Sequence, residues 1–246
     1  MVKRTSRKRF ICVGAFLMLV RNWRVMLPLY GILVVLWFAV MGVDKISMTI
    51  SGVAVFLVGW LTTIFLVRHI MAGQKVGVRD ALYNAMAPTL SLLVVMAVAV
   101  VQCLPILAVL VAGSAAVETN FFAVSGQAVG FVIFAGAMLA ITWVLLPHTV
   151  MAMVAVTAPG LYPGKALSET RKLLRGKTWQ WWLATLVMVV VILVAGAVIY
   201  VPMAILLWNA VAPNWVLELM FSMVGCFALM YEAVYYYIYY RRLLDE

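Results

Sequence analysis

The chain has 246 residues, of which 67% are hydrophobic and only 11% charged, with 18 Lys and Arg against 8 Asp and Glu. A soluble domain carries about 25% charged residues, so a water-soluble globule is excluded, and the high hydrophobicity excludes a disordered chain. The three cysteines, Cys12, Cys103 and Cys226, are too few and too scattered for a disulfide scaffold.

A helix needs about 20 apolar residues to cross a hydrocarbon core of about 30 Å. The first apolar stretch, Phe10 to Val20, follows Lys3, Arg4, Arg7, Lys8 and Arg9 and so imitates a signal peptide. It is followed at once by Arg21-Asn22-Trp23-Arg24, with no small-residue cleavage site. As a helix it would cover only about 16 Å. An interfacial or partly inserted helix is expected; a cleaved signal, or one long helix running on to Val43, are the alternatives.

Six full spans follow, at about 25–43, 46–67, 88–113, 126–147, 181–207 and 216–240. The second is polar only at Ser47, Thr49, Ser51, Thr62 and Thr63. The third holds Gln102 and, as a break, Pro105. The fourth could continue to Ala158. The sixth contains Glu218 and Glu232. Only helices and closed barrels satisfy their backbone polar groups in lipid. Barrel strands alternate apolar and polar residues, whereas Leu183 to Ile199 is apolar nearly all round. The expected fold class is therefore all-α: a polytopic membrane helix bundle of six transmembrane helices with short cytoplasmic interfacial helices. It forms a single integral membrane domain over 1–246, with 1–24 as a basic N-terminal interfacial segment.

Seventeen of the 18 basic residues fall on one side of this arrangement, before span one, between spans two and three, between spans four and five, and after span six; only Lys45 falls on the other. By the positive-inside rule both termini are cytoplasmic. The net charge of +10 is thereby accounted for by topology. No base-reading motif accompanies it, so nucleic acid is not an expected partner. The bilayer itself is, through anionic headgroups, with Arg21, Arg24, Arg171, Lys172, Arg175 and Lys177 as the headgroup-facing residues. Tryptophans agree with this placement: Trp23, Trp179, Trp181 and Trp182 at the inner boundary, Trp208 and Trp215 at the outer, with Tyr235, Tyr236, Tyr237, Tyr239 and Tyr240 again at the inner one. The outer connections, around Asp44–Lys45, Glu118–Asn120 and Asn209–Asn214, are too poor for a folded domain.

The chain also reads as three hairpins, each preceded by a short helix. In the third of these, Ala166, Leu167, Thr170, Leu173 and Leu174 share one face at helical spacing, with Lys165, Glu169 and Lys172 opposite. A shift of 156 residues puts Phe10, Ile11, Gly14, Leu17 and Met18 on the corresponding face, and a shift of 85 matches Ala81 and Leu82 to Ala166 and Leu167. True repetition and the mere likeness of any basic amphipathic helix ahead of a span both fit this pattern.

Chemistry is sparse. Gly176-Lys177-Thr178 spells the end of a P-loop, but Arg171 stands where the motif needs glycine. No metal-ligand spacing and no nucleophile elbow is present, and no cofactor is expected. Glu232 lies about 12–14 Å inside the inner boundary, where an ionisable group is expensive and often functional. With Gln102 and His148 it makes the possible intramembrane polar site of a small transporter or channel; pairing with ordinary helix neighbours is the plainer alternative. Gly126 and Gly130, continued by Gly136 and Ala140, favour close helix packing, within the bundle or in a homodimer.

The stretch from Pro159-Gly160-Leu161-Tyr162-Pro163-Gly164-Lys165 through Thr170-Arg171-Lys172 to Gly176-Lys177-Thr178-Trp179 resembles the segment before the fifth span of a broad set of bacterial six-span proteins. These include the YciC-like family and the membrane domain attached to some glycerophosphodiester phosphodiesterases. Leu19-Val20-Arg21-Asn22-Trp23 and the Tyr-rich end with Arg241, Arg242 and Leu243 are similar to the same group. The resemblance implies a six-helix architecture in a bacterial cytoplasmic membrane. No soluble phosphodiesterase domain stands in this sequence, so it carries over no catalysis. A non-enzymatic role in organising or sensing the membrane, or supporting a partner there, is the leading expectation.

Overall fold

The computed structural model describes residues 11–41, 45–118, 125–209 and 214–245. The basic run Lys3 to Arg9, Asp44, Thr119, Asn120 and Pro213 lie outside them, as do the surroundings of the Lys45, Glu118, Gly126, Trp208 and Asn209 side chains. Among the described residues there is no strand. The helices are α1 (Ile11–Arg21), α2 (Trp23–Met41), α3 (Lys45–Met71), α4 (Val78–Ala85), α5 (Thr89–Glu118), α6 (Ser125–Ala155), α7 (Pro163–Leu173), α8 (Thr178–Asn209) and α9 (Asn214–Asp245).

Six of them, α2, α3, α5, α6, α8 and α9, are long and apolar enough to cross a membrane. The chain is an all-α, multi-pass membrane protein. Each expected span is present, most of them longer than the apolar run alone indicates. The order short, long, long recurs three times along the described chain. Pro105 does not end α5, which continues through it to Glu118, and α6 passes Pro147 to reach Ala155.

The helices group into two compact units, Met1–Thr89 with Leu183–Glu246, and Leu90–Trp182. In the first, α9 packs on α1, α2 and α3, and α4 packs on α3. Its core holds Leu29, Leu33, Trp60, Leu61, Ile64 and Leu66 against Leu229, Tyr231 and Tyr235. Gly59 of α3 faces side chains of both α2 and α9: a Cβ there would stand 2.6 Å from Leu229 Cδ2 and 3.2 Å from Leu33 Cδ1. The tyrosine cluster read as a headgroup-level belt is also core. Tyr235, Tyr236, Tyr237 and Tyr239 of that cluster are buried, as is Tyr231 one turn earlier, while Tyr240 is half-buried. The Tyr231 hydroxyl donates to the Cys12 carbonyl at 3.2 Å, fixing α1 on α9, and that of Tyr235 donates to the Ala184 carbonyl at 2.7 Å.

The short helices bury a face of mostly small residues at i, i+4 spacing: Ala15 and Leu19 in α1, Ala81 and Ala85 in α4, Ala166 and Thr170 in α7. Small side chains let backbones approach closely where apolar burial alone gives no drive between helices in lipid. The face expected for α7 is found. That of α1 is displaced by one residue, with Leu17 half exposed and Ala15 fully buried, because α1 is fitted to α9 rather than laid flat by composition alone.

In the second unit α7 packs on α6. Thr170, fully buried, donates to the His148 carbonyl at 3.0 Å as well as to its own helix. Gly176, with φ +75°, takes the left-handed conformation in the turn between the end of α7 and the start of α8 at Thr178.

Candidate functional site

The second unit assembles a basic groove from a proline-modified stretch of α6, the whole of α7 and the start of α8. Proline has no N–H, so Pro147 leaves the carbonyl four residues earlier, that of Trp143, without its helical donor. The indole Nε1 of Trp182 donates to that carbonyl at 3.0 Å. The same two indoles stack, centroids 4.4 Å apart and planes 15° from parallel, and Trp179 lies 5.8 Å from Trp143. The first turns of α8 are thereby held on α6. Indoles prefer the headgroup level of a bilayer, and Trp179 is 62% exposed.

Beside this clasp, a groove of about 600 Å³ is lined by Val144, Leu145 and His148 of α6, Ser168, Arg171 and Lys172 of α7, then Arg175 and Thr178. Arg171 and Arg175 are exposed and one helical turn apart in sequence. Lys172 pairs with Glu169 at 3.5 Å, but both are solvent-accessible and such a pair is worth little. His148 Nδ1 is buried with no hydrogen-bond partner among the described residues. Ser168 and Thr178 add hydroxyls. Thr178 also opens a helix, whose first N–H groups have no partner within it. Cations, hydroxyls and an apolar wall of Val144 and Leu145 describe a place for an anionic head on a hydrocarbon stem.

The expected site residues distribute as follows. Arg171, Lys172 and Arg175 come together in the groove, and His148 joins them there. Lys177 is half-buried and does not line it. Arg21 and Arg24 belong to the other unit, exposed where α1 turns into α2. Gln102 is tied to α6 twice: its Oε1 accepts from Thr149 at 2.6 Å and its backbone carbonyl from Thr142 at 3.3 Å. Glu232 belongs to the first unit and makes no ion pair among the described residues. Gly130 and Gly136 have open space where a Cβ would stand. The groove itself was not anticipated; the signal for it was Pro147 four residues after Trp143, with Trp179 and Trp182 downstream. Among the described residues no group of three or more His, Cys, Asp or Glu is placed to hold a metal ion.

The arrangement defines a multi-pass helical membrane protein with a basic groove beside a tryptophan clasp. Set against family models, curated proteins and solved structures, the chain matches none.

Proposed function

We propose that this chain is a protein of the bacterial cytoplasmic membrane, both termini in the cytoplasm, that organises or senses the membrane by holding an anionic phospholipid headgroup. It has no enzymatic role in this reading. The observation that carries it is the groove in which Arg171, Lys172 and Arg175 flank His148 against an apolar wall. The charge bias toward one side of the spans supports the orientation. The resemblance of residues 159–179 to the YciC-like proteins fits the same architecture. The open small-residue face around Gly130 supports a homodimer or membrane-protein partner through Gly126 and Gly130.

The test is the lipid that co-purifies in mild detergent. The wild-type protein is expected to retain phosphatidylglycerol or cardiolipin in preference to zwitterionic lipid, and R171Q/K172Q/R175Q to retain measurably less of it. Equal retention of anionic lipid by both would refute the role.

A small transporter or channel is the second reading, favoured by Glu232, an acid inside a spanning helix without an ion pair among the described residues. It requires an ion or proton flux in reconstituted vesicles that Glu232→Gln abolishes; the same flux in the variant would discard it.

A further inference from the structure

We infer that the first unit holds one acyl chain of an anionic phospholipid in an apolar groove between α1, α2, α8 and α9, with its headgroup at Arg21 and Arg24. This does not rest on the basic groove of the second unit, with which it shares no residue.

The groove has a volume of about 530 Å³, within the roughly 300–1,000 Å³ range of small-molecule sites. Each wall is a helical stripe: Trp23, Leu27 and Tyr30 on α2, Phe16 and Val20 on α1, Ala195 on α8. The α9 wall runs from Met220 to Met230, about 15 Å of helix.

Apart from the indole N–H of Trp23, the lining offers a ligand no unengaged polar side chain. Its one hydroxyl, that of Tyr30, already donates to the Met223 carbonyl at 2.9 Å. An occupant is therefore hydrocarbon along its length. Methionine supplies much of the wall, and its flexible thioether adapts to a chain that samples many conformers. The chemistry changes at the corner where α1 ends and α2 begins. Val20 and Trp23 line the groove, and their neighbours Arg21 and Arg24 are exposed. Asn22 between them is engaged with its own helix, its amide donating to the Met18 carbonyl at 2.8 Å. Two exposed guanidiniums beside this apolar groove complement a phosphate on an acyl chain, and neither a neutral lipid nor a purely apolar ligand would use them.

The experiment uses the full chain in phosphatidylcholine vesicles containing phosphatidylglycerol with a diazirine in its acyl chain. Illumination is followed by mapping of the labelled peptides. It is run in the R171Q/R175Q background, so that loss of the second unit's site cannot be mistaken for loss of this one. Label is expected on α9 between Met220 and Met230 and on α2 between Trp23 and Tyr30. Unlabelled phosphatidylglycerol should compete better than phosphatidylcholine by roughly fivefold for each arginine. Ala195→Phe should empty the groove of label while leaving α5 around Val101 and Val111 unchanged. R21Q/R24Q, which leaves every wall intact, should keep the label and abolish the headgroup preference. Label spread evenly over α5 and α9 in the unmodified groove would overturn the inference. So would an unlabelled groove, or equal competition by the two lipids.

Discussion

At the scale of residues, the firmest local device is the relation between Pro147, Trp143 and Trp182. A proline inside a membrane helix frees one carbonyl, and a freed carbonyl away from water needs another donor. Trp182 supplies it at 3.0 Å. Trp182→Phe should therefore lower stability in detergent by about 1 kcal/mol. Adding Pro147→Ala, which returns an N–H to position 147, should recover most of that loss. A double variant no more stable than Trp182→Phe alone would show that the indole hydrogen bond is not the reason. Thr170 acts in the same way between helices. Thr170→Val should cost about 1 kcal/mol by removing its donation to the His148 carbonyl, read as a lower midpoint in thermal unfolding. Residue chemistry of this kind was only half legible in the sequence. Gln102 could be seen as a polar group needing a partner. Which partner it takes, Thr149 on α6, depends on the relative rotation of two helices that are apolar nearly all round and so carry no periodic signal.

At the scale of elements, long apolar runs announce themselves and short helices do not. All six spans could be read because each must satisfy its own backbone across the bilayer and therefore needs length and hydrophobicity together. Which of them would form the core could not, since lipid-facing and protein-facing surfaces are equally apolar. The structure makes α3 the most enclosed helix and leaves α5, α6 and α8 largely open. The tyrosines of α9 show the limit clearly. Their closeness to Arg241 made a headgroup belt the natural reading. Yet Tyr231, Tyr235 and Tyr239 recur at helical spacing, the sign of a packed face. Small residues were the better guide to contact, as the buried pairs of α1, α4 and α7 attest. Gly59 gives the matching prediction. Gly59→Leu should force Leu33 and Leu229 apart and destabilise the first unit by about 1–3 kcal/mol, read by thermal unfolding in detergent. A variant as stable as the wild type would mean that α2, α3 and α9 are not so closely set.

At the scale of the whole molecule, scarce charge does two jobs. In the proposed orientation seventeen basic residues lie on the cytoplasmic side, and three of them line the groove beside His148. Orientation is checked with single cysteines in a chain whose Cys12, Cys103 and Cys226 have been replaced. In intact cells Lys45→Cys should react with a membrane-impermeant maleimide, while Lys75→Cys and Lys165→Cys should react only after the membrane is opened; the opposite pattern would invert the protein. Binding at the groove should weaken as ionic strength rises, because exposed charges are screened over about 10 Å at 0.1 M salt.

The most direct measurement is the count of phosphatidylglycerol molecules that stay bound to the intact protein by native mass spectrometry, for the wild type and for R171Q/R175Q. The two substitutions should remove one tightly held phosphatidylglycerol, weakening it by roughly fivefold for each charge, with no change in retained phosphatidylcholine. An unchanged count and affinity would contradict a headgroup site in the groove of α6, α7 and α8.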